Sequence, residues 1–137
     1  MAVAALQIAG VLDRMSSFLN DKLHDVYLIN IIIGFLSSVI DNVPLVAAAM
    51  GMYPLTHTDA TLSPYLVNFT TDGTFWELLA YSAGIGGSIL IIGSAAGVVV
   101  MGMERINFIW YMKHITWIAT LGYLAGIGVY YIQKIFI

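Results

Sequence analysis

Asp41 is the only acidic residue between Asp25 and Asp59, and it lies in the largely apolar stretch SSVIDNVPLVAAAM, residues 37–50. An ionisable side chain in such surroundings marks a functional site by default. The neighbouring residues offer hard oxygen ligands: the Asn42 amide carbonyl, the Ser37 and Ser38 hydroxyls, and backbone carbonyls where a helix ends. Pro44 lacks an N–H and deprives one carbonyl of its usual partner. Carbonyls at the C-terminal end of a half-helix also carry partial negative charge. This set suits a small cation such as sodium, in the way broken helices hold ions within a membrane. Partial burial raises a carboxylate's pKa and a nearby cation lowers it, so a proton and a cation compete for Asp41. Asn42 and Pro44 also suit the start of a second half-helix, as N-cap and first-turn residue. That role does not account for the charge of Asp41.

A second oxygen-bearing stretch is AGIGGSILIIGSAAG, residues 83–97. Ser88 and Ser94, with carbonyls around Gly86, Gly87 and Gly93, complete a sodium site with Asp41 and Asn42 if the two stretches meet. Two small-residue clusters flanking ILII point to an unwound segment, although close helix packing is the commoner use of one such cluster.

The elements around these residues are apolar. Hydrophobic residues make up 60% of the 137 and charged residues 9%, against about 25% charged in a soluble domain. Mean hydropathy is +0.89. An all-α integral membrane protein in contact with the lipid bilayer follows. Residues 1–24 contain an amphipathic helix over 4–23, with Leu12, Met15, Leu19 and Leu23 at helical spacing, suited to the membrane interface. Residues 25–53 hold two short apolar arms. The first, 26–40, is roughly 22 Å long as a helix, short of the ~30 Å hydrocarbon core. Two short arms joined by a polar break predict a re-entrant hairpin rather than one kinked spanning helix. Residues 54–75 form a polar loop in which His57 and Asp59 are solvated. Residues 76–104 form a discontinuous transmembrane helix. Residues 105–137 comprise a charged, aromatic interfacial turn and a terminal transmembrane helix over 115–133. Gly122 and Gly126 have GxxxG spacing there, and His114 sits at the interface. Arg105 and Lys113 favour a cytoplasmic turn.

Other classes find little support. The chain has no cysteine, which removes disulfides, thiolate metal sites and cysteine nucleophiles. A net charge of −3 without a basic run does not suit nucleic acid. GIGGS follows no soluble strand and does not complete a nucleotide-binding pattern. Ser88 or Ser94 as nucleophile with His114 as base places acid–base chemistry at different depths, and Asp41 has no second buried acid for aspartyl proteolysis. The chain is therefore not read as an enzyme. A non-transporting interaction subunit, built on the GxxxG helix, is the alternative from another class. A second copy of the chain, giving a homodimer, is a further candidate partner.

SSVIDNVPLVAAAMGMY, followed by the segment from FWELLAYSAGIGGSILIIGSAAG to GYLAGI, closely resembles the C-terminal part of NhaD-type sodium/proton antiporters. The resemblance runs from about residue 4 to 128. These antiporters share a superfamily with arsenite permeases and citrate and dicarboxylate carriers, so an anion carrier on the same scaffold is the nearer alternative. An acidic tip disfavours an anion. The resemblance implies the second repeat of an inverted-repeat transporter, in a bacterial inner (plasma) membrane, exchanging Na+ (or Li+) for H+ without a resident cofactor. Asp41, Asn42, Ser88, Gly93 and Ser94 would line the sodium pathway, with Ser37 and Ser38 beside them. The N-terminal repeat of such a transporter is absent, so the chain is read as a fragment whose partner is that repeat.

Overall fold

The computed structural model describes residues 5, 8–57 and 63–137, with Leu12 described in its backbone only. Asp59 and part of the expected 4–23 helix lie outside the described residues. Among the described residues every regular element is helical. In chain order these are α1 (Val11–Leu23), α2 (Val26–Ser37), α3 (Asn42–Met52), a 3-10 turn (Leu66–Phe69), α4 (Thr74–Gly86), α5 (Ala95–Met103), α6 (Phe108–His114) and α7 (Thr116–Phe136).

Helix α1 starts at Val11 because Gly10 adopts a left-handed conformation, φ +68°, which is cheap only for glycine. Met15 and Phe18 are exposed, while Leu19 and Leu23 pack on the core. The amphipathic pattern thus selects one buried face. At the other end, His24 takes a left-handed C-cap and its N–H closes on the Asn20 carbonyl.

Asp25 caps α2 by accepting from the Tyr27 N–H at 2.8 Å. Helix α2 ends in a tightened turn, with the Ser38 N–H and hydroxyl both on the Phe35 carbonyl at 3.1 and 2.6 Å. Asp41 is extended, φ −56° and ψ 145°, and α3 follows. Pro44 falls in the first turn of α3, where an N–H has no intrahelical partner to lose. The two helices together would extend on the order of 40 Å if the chain ran straight. Instead the Tyr53 hydroxyl, at the end of α3, reaches Asn20 Oδ1 of α1 at 3.4 Å. The chain has doubled back at residues 38–41.

The loop after α3 is less polar in structure than in sequence. Phe69 is buried and stacks on Tyr53 at 5.1 Å, with Phe75 and Tyr65 on its other sides. The Trp76 indole N–H donates to the Phe69 carbonyl at 3.2 Å, and Tyr65 donates to Asn20 Oδ1 at 2.7 Å. Burial, and then the Asp25 carboxylate, push the Tyr65 hydroxyl above its ordinary pKa of 10.0. An aromatic plug therefore closes the base of the hairpin. His57 is exposed, as expected of a loop residue.

Helix α4 stops at Gly86, and residues 87–94 are unwound before α5 begins. Both glycine–serine clusters border this segment. Ile91 sits within it at φ +61°, a costly setting for a β-branched residue. Ser94 then caps α5, accepting from the Gly97 N–H at 3.3 Å.

The C-terminal region is helical over most of its length. The stretch read as an interfacial turn contains α6, and the path bends by 50° between α6 and α7. No single helix among the described residues is long and apolar enough to cross a membrane; α6 and α7 meet that test only as a bent pair. Threonines, glycines, tyrosines and Gln133 dilute the hydropathy of α7 below that of a single clean span.

Candidate ion site at the hairpin tip

The hairpin turn packs on the unwound segment. Ser37 is fully buried, and its hydroxyl lies 2.8 Å from Asn42 Oδ1 and 3.0 Å from the Ala83 carbonyl, with its one proton shared between them. One side chain thus links both arms of the hairpin to α4. Glycine makes the approach possible. A methyl group on Gly93 would collide with the Ser37 and Ser38 carbonyls, and one on Gly86 would collide with the Gly34 backbone. A methyl on Gly87 would sit 3.4 Å from Asn42 Oδ1. The two oxygen-bearing stretches meet at backbone contact.

Ser37, Ser38, Asn42 and Gly93 are brought together by this contact. Asn42 is not the N-cap of α3. Asp41 takes that position, its carboxylate accepting from the Asn42 N–H at 3.0 Å. A carboxylate is a strong cap at the positive end of a helix. The Asn42 amide oxygen is thereby left to face Ser37.

The remaining expected residues are placed differently. Asp41 is exposed on the surface of the chain, not desolvated within it. Among the described residues no element covers it, so the partial burial argued from sequence is not supplied by them. Ser88 is also exposed, and its hydroxyl donates back to the Ile85 carbonyl in the last turn of α4 at 2.7 Å. Its backbone carbonyl accepts from the Tyr111 hydroxyl at 2.6 Å. Ser94 is half-buried and occupied in capping α5. Among the described residues no hydrogen bond joins Asp41 to Ser88 or Ser94. No cluster of three or more His, Asp or Glu side chains with metal-holding geometry occurs among them either. The site offers hydroxyl, amide and carbonyl oxygens beside one carboxylate.

Sequence reasoning missed Ser82 and Tyr123. Both are fully buried, and their hydroxyls lie 3.0 Å apart. Tyr123 also donates to the Asn30 carbonyl of α2 at 3.1 Å. The available signal was helical spacing. Ser82 and Gly86 share a face of α4, and Asn30, Gly34 and Ser37 share a face of α2. Asn30 Nδ2 bonds the Val26 carbonyl at 3.0 Å, but its Oδ1 is buried without a donor. His114 is exposed and stacks on Trp110 at 4.8 Å, remote in role from the buried serines.

Short apolar helices, a chain that doubles back and a glycine-lined unwound segment fit a segment of a helical membrane transporter. The chain is homologous to a segment of sodium/proton antiporters, including those named NhaD. It is 46% identical over 130 residues to "Sodium/proton antiporter 1" of Arabidopsis thaliana, covering 95% of this chain and 21% of that protein. "Sodium/proton antiporter 2" of the same plant is 44% identical over 130 residues, covering 95% and 28%. "Na(+)/H(+) antiporter NhaD" of Alkalimonas amylolytica is 35% identical over 133 residues, covering 95% and 24%. The chain therefore spans about a fifth to somewhat over a quarter of the length of these relatives. Their names describe transporters, not enzymes. No family model matches the chain, and no solved structure matches it.

Proposed function

We propose that this segment supplies part of the cation site of a sodium/proton antiporter, with Asp41 exchanging a proton for Na+ (or Li+). The observation that carries this reading is the seating of the Ser37–Asn42 tip against Gly87 and Gly93 of the unwound segment. It gathers neutral oxygen ligands beside one carboxylate, a donor set suited to a hard monovalent cation and ill suited to an anion.

In this reading the hairpin is re-entrant, α4 and α5 are halves of a discontinuous transmembrane helix, and α1 lies at the interface. The exposed apolar side chains support a bilayer setting. Val98, Val99, Val100 and Met103 of α5 and Trp117, Ile118 and Leu121 of α7 all face outward. In water such a surface would drive association. The N-terminal repeat of the complete transporter covers the tip and provides the desolvation that Asp41 lacks here. A protonated Asp41 then yields its proton as a cation arrives, and the cation leaves as the proton returns. A bacterial inner membrane is the proposed location, and the plant relatives extend it to plant membranes.

A chimera tests the reading. This chain replaces the matching segment of the Arabidopsis antiporter 1, and everted vesicles report sodium-driven proton movement. Asp41→Asn is expected to abolish the signal at unchanged protein level. Exchange at the parent rate would remove Asp41 from the mechanism.

A further inference from the structure

We propose that Tyr123 is a positioning residue that holds the hairpin tip on the unwound segment. It rises from α7 and is fully buried. Its hydroxyl donates to the Asn30 carbonyl of α2 at 3.1 Å, with the Ile31 carbonyl at 3.4 Å, and shares a hydrogen bond with Ser82 of α4 at 3.0 Å. One atom therefore binds the first arm of the hairpin to the helix that precedes the unwound segment.

The packing leaves this hydroxyl little freedom. It lies over Gly34, where any side chain would collide with it. The Tyr123 ring meets Phe35 edge-on at 6.1 Å and stacks on Tyr81 at 5.8 Å. Tyr81 in turn donates to the Tyr123 carbonyl at 3.1 Å, and its own hydroxyl lies over Gly126. Each tyrosine occupies the space above a glycine on a neighbouring helix.

The clasp stands next to the tip in the covalent chain. Ser82 precedes Ala83, whose carbonyl is a partner of the Ser37 hydroxyl, and Gly34 lies one turn before Ser37. Movement of α2 against α4 at the Tyr123 level is transmitted to Ser37, Asn42 and Gly87. The hydroxyl serves through the geometry of the tip.

Two measurements on Tyr123→Phe test this. The first uses the 137-residue chain in liposomes with Asn42→Cys and Gly87→Cys, the chain having no other cysteine. Tyr123→Phe is expected to slow disulfide formation between the pair about five-fold, the scale of one buried hydrogen bond. The second uses the chimera without added cysteines and rests on the tip being a cation site. There Tyr123→Phe is expected to raise the KM for Na+ about five-fold while the maximal rate is kept. Ser82→Ala combined with it should add little, since both remove the same bond. An unchanged cross-linking rate overturns the proposal whatever the transport result. A fall in maximal rate at constant KM overturns it too, since that marks a folding role alone. Altered cross-linking in the chain, together with Asp41→Asn exchanging normally in the chimera, would uphold the clasp and remove Asp41 from the mechanism.

Discussion

Two serines of the same type carry opposite structural weight. The Ser37 hydroxyl is buried between Asn42 Oδ1 and the Ala83 carbonyl, whereas the Ser88 hydroxyl is exposed and turns back on the Ile85 carbonyl at the end of α4. Removing a buried hydroxyl leaves its partners unsatisfied, at a cost of about 1–3 kcal/mol. Surface changes away from such features stay within about 0.5 kcal/mol. Ser37→Ala is therefore expected to lower the thermal unfolding midpoint of the purified protein and, in the chimera, to weaken apparent Na+ affinity under the proposed function, with Ser88→Ala close to the parent in stability. Equal loss in both would mean that the tip hydroxyl is not a structural link. The sequence placed both serines near a cation pathway, because residue type and an apolar setting are visible in one dimension. It did not separate them, because the direction of a hydroxyl depends on where the helix unwinds. Asp41 shows the same limit from the other side. Its charge is plain in the sequence, but its role as cap of α3 and its exposure are set by backbone angles at residues 38–41.

Between elements, glycine decides what can touch. The break between α4 and α5 was legible because two small-residue clusters flank ILII, and helix propensity is weak there. The contact it makes was not legible, since small residues serve helix packing and unwinding alike. The structure divides them. Gly86 and Gly93 face backbone on α2 and the hairpin turn, while Gly84 faces open space. Gly93→Ala forces the tip off the unwound segment, and overpacking of this kind typically costs about 1–3 kcal/mol. Gly84→Ala removes only backbone freedom from a helix and is expected to gain up to about 1 kcal/mol. Chemical unfolding of the two variants in detergent should give shifts of opposite sign, with exchange lost only in Gly93→Ala. Two destabilisations of equal size would mean that the unwound segment does not sit against Ser37 and Ser38.

Across the whole molecule, the two glycines of the α7 spacing have different surroundings. Its GxxxG spacing suggested a seam for a second copy of the chain. In the fold, Gly126 is already taken by the Tyr81 hydroxyl, while Gly122 looks onto open space. A spacing pattern records that a close approach occurs and does not say whether the approaching group is another chain or a tyrosine 45 residues earlier. Far from the hairpin tip, the end of α7 returns to the start of α4. There Lys134 pairs with Glu77 at 3.1 Å, and the Tyr130 hydroxyl donates to the same carboxylate oxygen. Both ion-pair side chains are largely solvated, so the pair itself adds little. Buried Tyr123 and half-buried Tyr81 make the stronger join. Leucine at Gly126 would expel Tyr81 and separate α7 from α4, whereas leucine at Gly122 has room. Gly126→Leu is thus expected to destabilise the protein by more than about 2 kcal/mol, the scale of a large side chain forced into a packed interface. Gly122→Leu should leave both stability and the size of the detergent-solubilised particle unchanged. If both variants instead convert a dimer to a monomer of undiminished stability, the glycines line a seam between copies and the Tyr81 contact is incidental.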